Sequence, residues 1–183
     1  MSTTHAGMGA TGAALLVPVA PEWAPLAAVA AIAGGVFPDL DVLFEHRKTL
    51  HYHEYYWVPA GLLAAAALVR PTTWTVAAAA FLAAAGLHSV VDIFGGGLGR
   101  RPWLADDDRG VYSHRDGRWI PPRRWIRYDG APEDLLATVA FAVLPALAFD
   151  GVVDALVATG VLAATAYVLV RKRLPDVYER WVA

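Results

Sequence analysis

The stretch VFPDLDVLFEHRKTLHYHEYY, Val36 to Tyr56, decides how the rest of the chain is read. It gathers two aspartates, two glutamates and three of the six histidines between long runs of Ala, Val and Leu. Charged groups in such surroundings are costly unless they are paired, metal-bound or hydrated. The segment therefore marks the point where the chain leaves an apolar environment, and its residue types are those that bind hard or borderline metal ions.

Working outward, 57% of the 183 residues are hydrophobic and only 17% are charged. The mean hydropathy of +0.42 exceeds what a soluble domain needs and points to a membrane protein. One domain, 1–183, suits this length. A net charge of -2 gives no reason to expect a nucleic-acid partner, and the absence of cysteine excludes disulfides and thiolate metal sites. The opening MSTTHAGMGATGAALLVPVA carries no Lys or Arg before its apolar run, so it reads as a retained helix rather than a signal peptide.

Six apolar segments follow one another at roughly 6–20, 24–37, 56–70, 73–94, 134–149 and 152–170. A full membrane crossing takes about 20 apolar residues; the segments at 73–94 and 152–170 meet this easily, and the others are short. The expected architecture is an all-α integral-membrane bundle of about six helices. Between them, the polar insertion 95–133 is rich in Gly, Pro, Arg and Trp. Within it, VYSHRDGRWI sets Asp116-Gly117 between two alternating runs, a hairpin signal. The following DGAPED offers a helix start, with Pro132 in the first turn and Glu133 and Asp134 at the positive end of the helix dipole. Trp103, Trp119 and Trp125 suit either the headgroup level of a membrane or a cover over the bundle.

Arginines orient the chain. The insertion holds Arg100, Arg101, Arg109, Arg115, Arg118, Arg123, Arg124 and Arg127, the last apolar segment ends in Arg171-Lys172-Arg173, and the opposite side offers only Arg70. The positive-inside rule puts the insertion and both termini in the cytoplasm. Counting spans brings His5, the Asp39–Glu54 stretch, His88 and Asp92 to that same face.

His88 and Asp92 are the most specific pair, because i and i+4 share a helix face and a carboxylate inside an apolar helix needs a compensating partner. Asp39 and Asp41 follow Pro38 and are read as a turn leaving the membrane, where two carboxylates could each reach a metal. His46 and His51 lie five apart, which favours an irregular segment over a helix. His53 and Glu54 fit less well, and His114 reads as a surface residue of the hairpin.

In order, TTHAG, FPDLD, HRKTLH and GLHSVVDIFGGGLGRRPW resemble the YdjM-like inner-membrane family, described as candidate metal-dependent hydrolases. The likeness covers roughly the first hundred residues. Val42, Lys48, Leu50, Tyr52 and Leu87 depart from the family pattern. The resemblance implies a metal site at His5, Asp39, Asp41, His46, His51, His88 and Asp92. It also implies a distant similarity to zinc-dependent phospholipases C and single-strand nucleases.

The expected function is metal-dependent hydrolysis of a phosphoester, with a phospholipid among the candidate substrates and membrane lipids as neighbours. Zinc or manganese suits His and carboxylate donors without thiolates, with one to three ions and two the best single number. Asp39 or Asp41 would take a proton from water, and Arg47 would pair with a phosphate oxygen. A non-catalytic structural or sensory metal site, and a transporter with Asp92 and Asp154 on its pathway, are the alternatives.

Overall fold

Alanine and glycine, not the larger aliphatics, fill the centre of this protein. A computed structural model describes residues 1–181. Its first helices are α1 (Ser2–Ala14), α2 (Ala24–Val36), α3 (Trp57–Val69) and α4 (Thr73–Val91). After a two-stranded hairpin, β1 (Val111–Ser113) and β2 (Arg118–Ile120), come α5 (Pro132–Ala148), α6 (Val152–Val170) and the short α7 (Leu174–Trp181). Among the described residues three helices, not the six expected, are long and apolar enough to cross a membrane: Ala24–Leu43, Thr73–Phe94 and Val152–Trp181, the first two counted with a 3₁₀ extension and the third with a 3₁₀ turn and α7. The apolar runs at 6–20 and 134–149 do form helices. However, α1 is only 13 residues long and α5 begins with two acidic residues.

Sequence signals account for the helix ends. Thr72 and Thr75 form a reciprocal cap at the start of α4, satisfying two otherwise unpaired N–H groups. Pro132, Glu133 and Asp134 open α5 as expected. Pro145 lies inside α5 and cannot donate to the carbonyl of Phe141, four residues earlier. The Thr11 hydroxyl of α1 donates to that oxygen at 2.7 Å, so a helix break is repaired by a neighbouring helix.

Packing is correspondingly close. Ala10, Ala13, Ala14, Ala24, Ala27 and Ala28 are buried together with Phe149, Val153 and Val157. An added Cβ at Gly9 would lie 2.6 Å from the Ala31 carbonyl oxygen, and one at Gly35 would lie 2.6 Å from that of His5. α1 packs on α2 and α5, α2 on α4, α4 on α3, and α5 on α6. The large side chains point outward instead: Leu62, Leu68, Trp74, Leu147, Leu162 and Leu169 are all exposed. Small inside and large outside is the arrangement used where lipid, not water, surrounds a bundle.

The starts of α1, α3 and α5 and the ends of α2, α4 and α6 meet at one end of the bundle, beneath the insertion. The hairpin forms with Val111 opposite Ile120, and Gly117 supplies the left-handed turn residue (φ 65°). It packs on the 47–54 segment: Tyr112 N–H donates to the Arg47 carbonyl (3.0 Å), His114 bonds the Lys48 carbonyl (2.7 Å) and Ser113 donates to Glu54 (2.6 Å). Trp125 is exposed, whereas Trp103 packs on Tyr128 and Trp119 on Tyr112.

Candidate metal centre

Four of the seven expected ligand positions converge. Asp39 sits on the 3₁₀ turn Phe37–Leu43 that prolongs α2, and His51 on the loop that follows it. His88 lies in the last turn of α4, and Asp92 begins the 3₁₀ turn beyond it. One ligand atom from each lies within 4.8 Å of every other. His51 Nε2 is 3.2 Å from Asp92 Oδ2 and 3.9 Å from Asp39 Oδ1; His88 Nε2 is 3.6 Å and 3.4 Å from the same two oxygens. Four ligands held about 2.0–2.1 Å from a tetrahedral ion would stand about 3.4 Å apart. The observed spacings bracket that value.

The tautomers make the fit more than geometric. His88 Nδ1 lies 2.6 Å from the Gly35 carbonyl oxygen, which can only accept, so the proton is on Nδ1. In the neutral ring Nε2 is then a bare lone pair, and this buried atom has no hydrogen-bond partner. It faces two carboxylate oxygens, and either a second proton or a metal ion on Nε2 reconciles the three groups. His51 repeats the pattern: Nδ1 is 2.9 Å from Asp41 Oδ2, and Nε2 points to Asp92 and Asp39. Fixing one imidazole nitrogen with a carbonyl or carboxylate so that the other meets a metal is the usual outer support of a metal site. Burial opposes charge on His51, but the hydrogen bonds to Asp41 and Asp92 outweigh it and raise its pKa above the usual histidine value.

The other three expected ligands stand behind these four. Asp41 is fully buried, and every lone pair is in use. It binds His46 Nδ1 (2.8 Å) and His51 Nδ1 (2.9 Å), and accepts the backbone N–H groups of Arg47 (3.3 Å), Lys48 (3.2 Å) and Leu50 (3.2 Å). It folds the 46–51 loop and aims His51. His46, on the rim, touches Asp41 rather than the four. His5 Nε2 binds Asp92 Oδ1 at 2.8 Å. Burial lowers the His5 pKa to about 4, so this ring is neutral near pH 7. His53 and Glu54 pair with each other (3.2 Å) beside the hairpin.

Arg47 is buried with φ 59°, a left-handed conformation costly for a residue with a Cβ. Asp41 holds its N–H, Nη1 donates to the Gly96 carbonyl at 2.6 Å, and Nε lies 3.2 Å from Asp92 Oδ2. Three further participants had no signature in the sequence: Ser2, whose hydroxyl donates to Asp39 Oδ2, and the carbonyls of Gly35 and Gly96. The adjacent pair Gly34-Gly35 was the one available hint, since only glycines permit so close an approach of backbones.

An open cleft of about 800 Å³ reaches this group, with Asp39 and Asp92 among its lining residues. The side chains of His51, His88 and Asp92 are almost wholly buried, whereas Asp39 is 20% exposed. Three donors are thus enclosed, and the fourth, Asp39, lies on the side open to the cleft. No family model matches the chain, and neither do any curated protein or solved structure.

Proposed function

We propose that this chain is a membrane-embedded, metal-dependent hydrolase of phosphoesters, as its motif resemblance to the YdjM-like family suggests. The observation that carries the reading is the buried Nε2 of His88, without a hydrogen-bond partner, facing two carboxylates at the base of an open cleft. Asp39, His51, His88 and Asp92 would hold one divalent ion, zinc or manganese, and such an ion supplies Lewis acidity and a nucleophile from water near neutral pH.

The chain's own groups then divide the work. Asp39 is the proton acceptor for the attacking water, because Asp41, the other carboxylate with that expectation, has no free lone pair. Arg47 reaches the cleft with Nη2 uncommitted and pairs with a phosphoryl oxygen. Asp41 and Gly35 hold Nδ1 of His51 and His88, so that Nε2 of each faces the proposed ion.

The surrounding surface supports insertion in the cytoplasmic membrane, with the metal-site face and residue 1 in the cytoplasm. The arginine-bearing insertion covers that end, and Arg70 lies at the other. A second reading has one specific observation in its favour. All four donors can close around an ion, as they do at structural sites.

Purified protein loaded with zinc or manganese in detergent is expected to cleave an activated phosphodiester or a phospholipid. Asp92→Asn, which keeps volume and removes charge, should lower both bound metal and turnover, while His114→Ala should leave both unchanged. Metal retained at full occupancy with no turnover on any phosphoester would favour the structural reading. Equal metal in wild type and Asp92→Asn would remove the site altogether.

A further inference from the structure

The carboxylates and guanidiniums that line the cleft balance one another before any ion enters. Asp39, Asp92 and Asp129 face it, and so do Arg47, Arg100 and Arg171. A divalent ion would tip the cleft positive, which favours an anionic ligand. Arg171 is the least expected of these six. It ends α6, where the sequence suggested only a basic membrane flank, yet nine-tenths of its side chain is buried.

Its surroundings aim it. Nε donates to the Asp129 carbonyl at 3.1 Å and lies 3.6 Å from Asp129 Oδ2, which Tyr167 also engages through its hydroxyl at 2.6 Å. The guanidinium sits 5.3 Å from the Trp103 ring and 5.9 Å from that of Tyr167. Among the described residues neither Nη donates a hydrogen bond, and Arg171 lines the cleft. Two Nη groups on a guanidinium anchored through Nε, lining a cleft that also reaches Asp39 and Asp92, form the fork that recognises phosphate oxygens in pairs.

We propose that Arg171 is the specificity-determining residue of this cleft, binding a phosphate oxyanion of the substrate through its two free Nη groups. The assignment rests on the hydrolase reading for its substrate, but the binding of phosphate tests it separately. Val42, Leu98, Leu174 and Pro175 line the same cleft, so an ester with an apolar part fits better than a sugar phosphate.

The test is titration of zinc-loaded protein in detergent with inorganic phosphate, by calorimetry, with zinc content measured in parallel. Arg171→Gln is expected to weaken phosphate binding about tenfold or more with zinc unchanged, because a charge-assisted pair is lost. Arg171→Lys should fall between, keeping the charge without the fork. Asp129→Asn should tighten binding, since it frees Arg171 from its counter-charge. That variant also decides the matter if Arg171→Gln does not fold. No phosphate binding by wild type, equal binding by Arg171→Gln, or weakening in Asp129→Asn overturns the assignment. The predicted order without turnover of any ester leaves the assignment standing and removes the hydrolase reading instead.

Discussion

Gly34 offers the most direct test of how the fold builds the site, because changing it touches no proposed ligand. It lies in α2 where α4 crosses, and an added Cβ would stand 2.8 Å from both Cα and the carbonyl carbon of Phe81, and closer still to its oxygen. Carbon contacts settle at about 3.5–4.0 Å, so the two helices must part by about 1 Å. Overpacking of this kind costs about 1–3 kcal/mol. Alanine returns about 1 kcal/mol through helix propensity, which leaves a net loss of about 0–2 kcal/mol. The larger effect falls on the metal. Asp39 follows α2 and His88 ends α4, so the gap between Asp39 Oδ1 and His88 Nε2 widens from 3.4 Å, as does the 2.6 Å bond from His88 to Gly35. Zinc affinity, measured by competition with a chromophoric chelator, is expected to fall about tenfold or more, as when support behind a metal ligand is lost. Helical content by circular dichroism should persist. Gly12→Ala and Gly160→Ala, which meet nothing within 4 Å, should keep wild-type affinity. Unchanged zinc affinity in Gly34→Ala would refute the close α2–α4 approach as the device that sets the site.

Asp41→Asn is expected to weaken zinc binding about 10–100-fold without removing a ligand, because it unfixes His51; an affinity equal to wild type would show that Asp41 does not aim it. Glu133, bound through both oxygens to Arg127 (2.7 and 3.0 Å), has its pKa lowered to about 2 by that hydrogen-bonded pair. A lowered carboxylate pKa stabilises the fold above its unfolded value of 4.5 and loses the effect as pH falls towards 2. Glu133→Gln should therefore cost about 1 kcal/mol or less at pH 7, Arg127 being exposed, and converge with wild type near pH 2; a deficit that grows on acidification would contradict this. For orientation, a membrane-impermeant maleimide on intact cells should label Thr72→Cys and spare Arg115→Cys, both exposed positions. The reverse pattern would invert the proposed topology.

Much of the helical layout was legible because breakers are local. Pro21, Pro25, Pro71 and Pro132 punctuate the chain, the Thr72 cap and the Asp116-Gly117 turn act within a few residues, and helices stand where all six apolar segments were read. The number of membrane-length helices was not legible from hydropathy. An alanine-rich helix such as α1 is apolar enough to leave water, but whether it meets lipid or other helices depends on its neighbours, and here Ala10, Ala13 and Ala14 are buried among them. Within the site, His88 and Asp92 were readable from helical spacing. The division between Asp39 and Asp41 was not, and its cause is the local geometry. A 3₁₀ turn advances about 120° per residue, so residues two apart point about 120° away from each other and cannot share one ion. Asp39 therefore faces the cleft while Asp41 faces the loop, where three backbone N–H groups and two imidazoles close around it. The folded loop returns His51 to the point that Asp39 reaches directly. The same DxD thus contributes one group to the site itself and one to the loop that completes it.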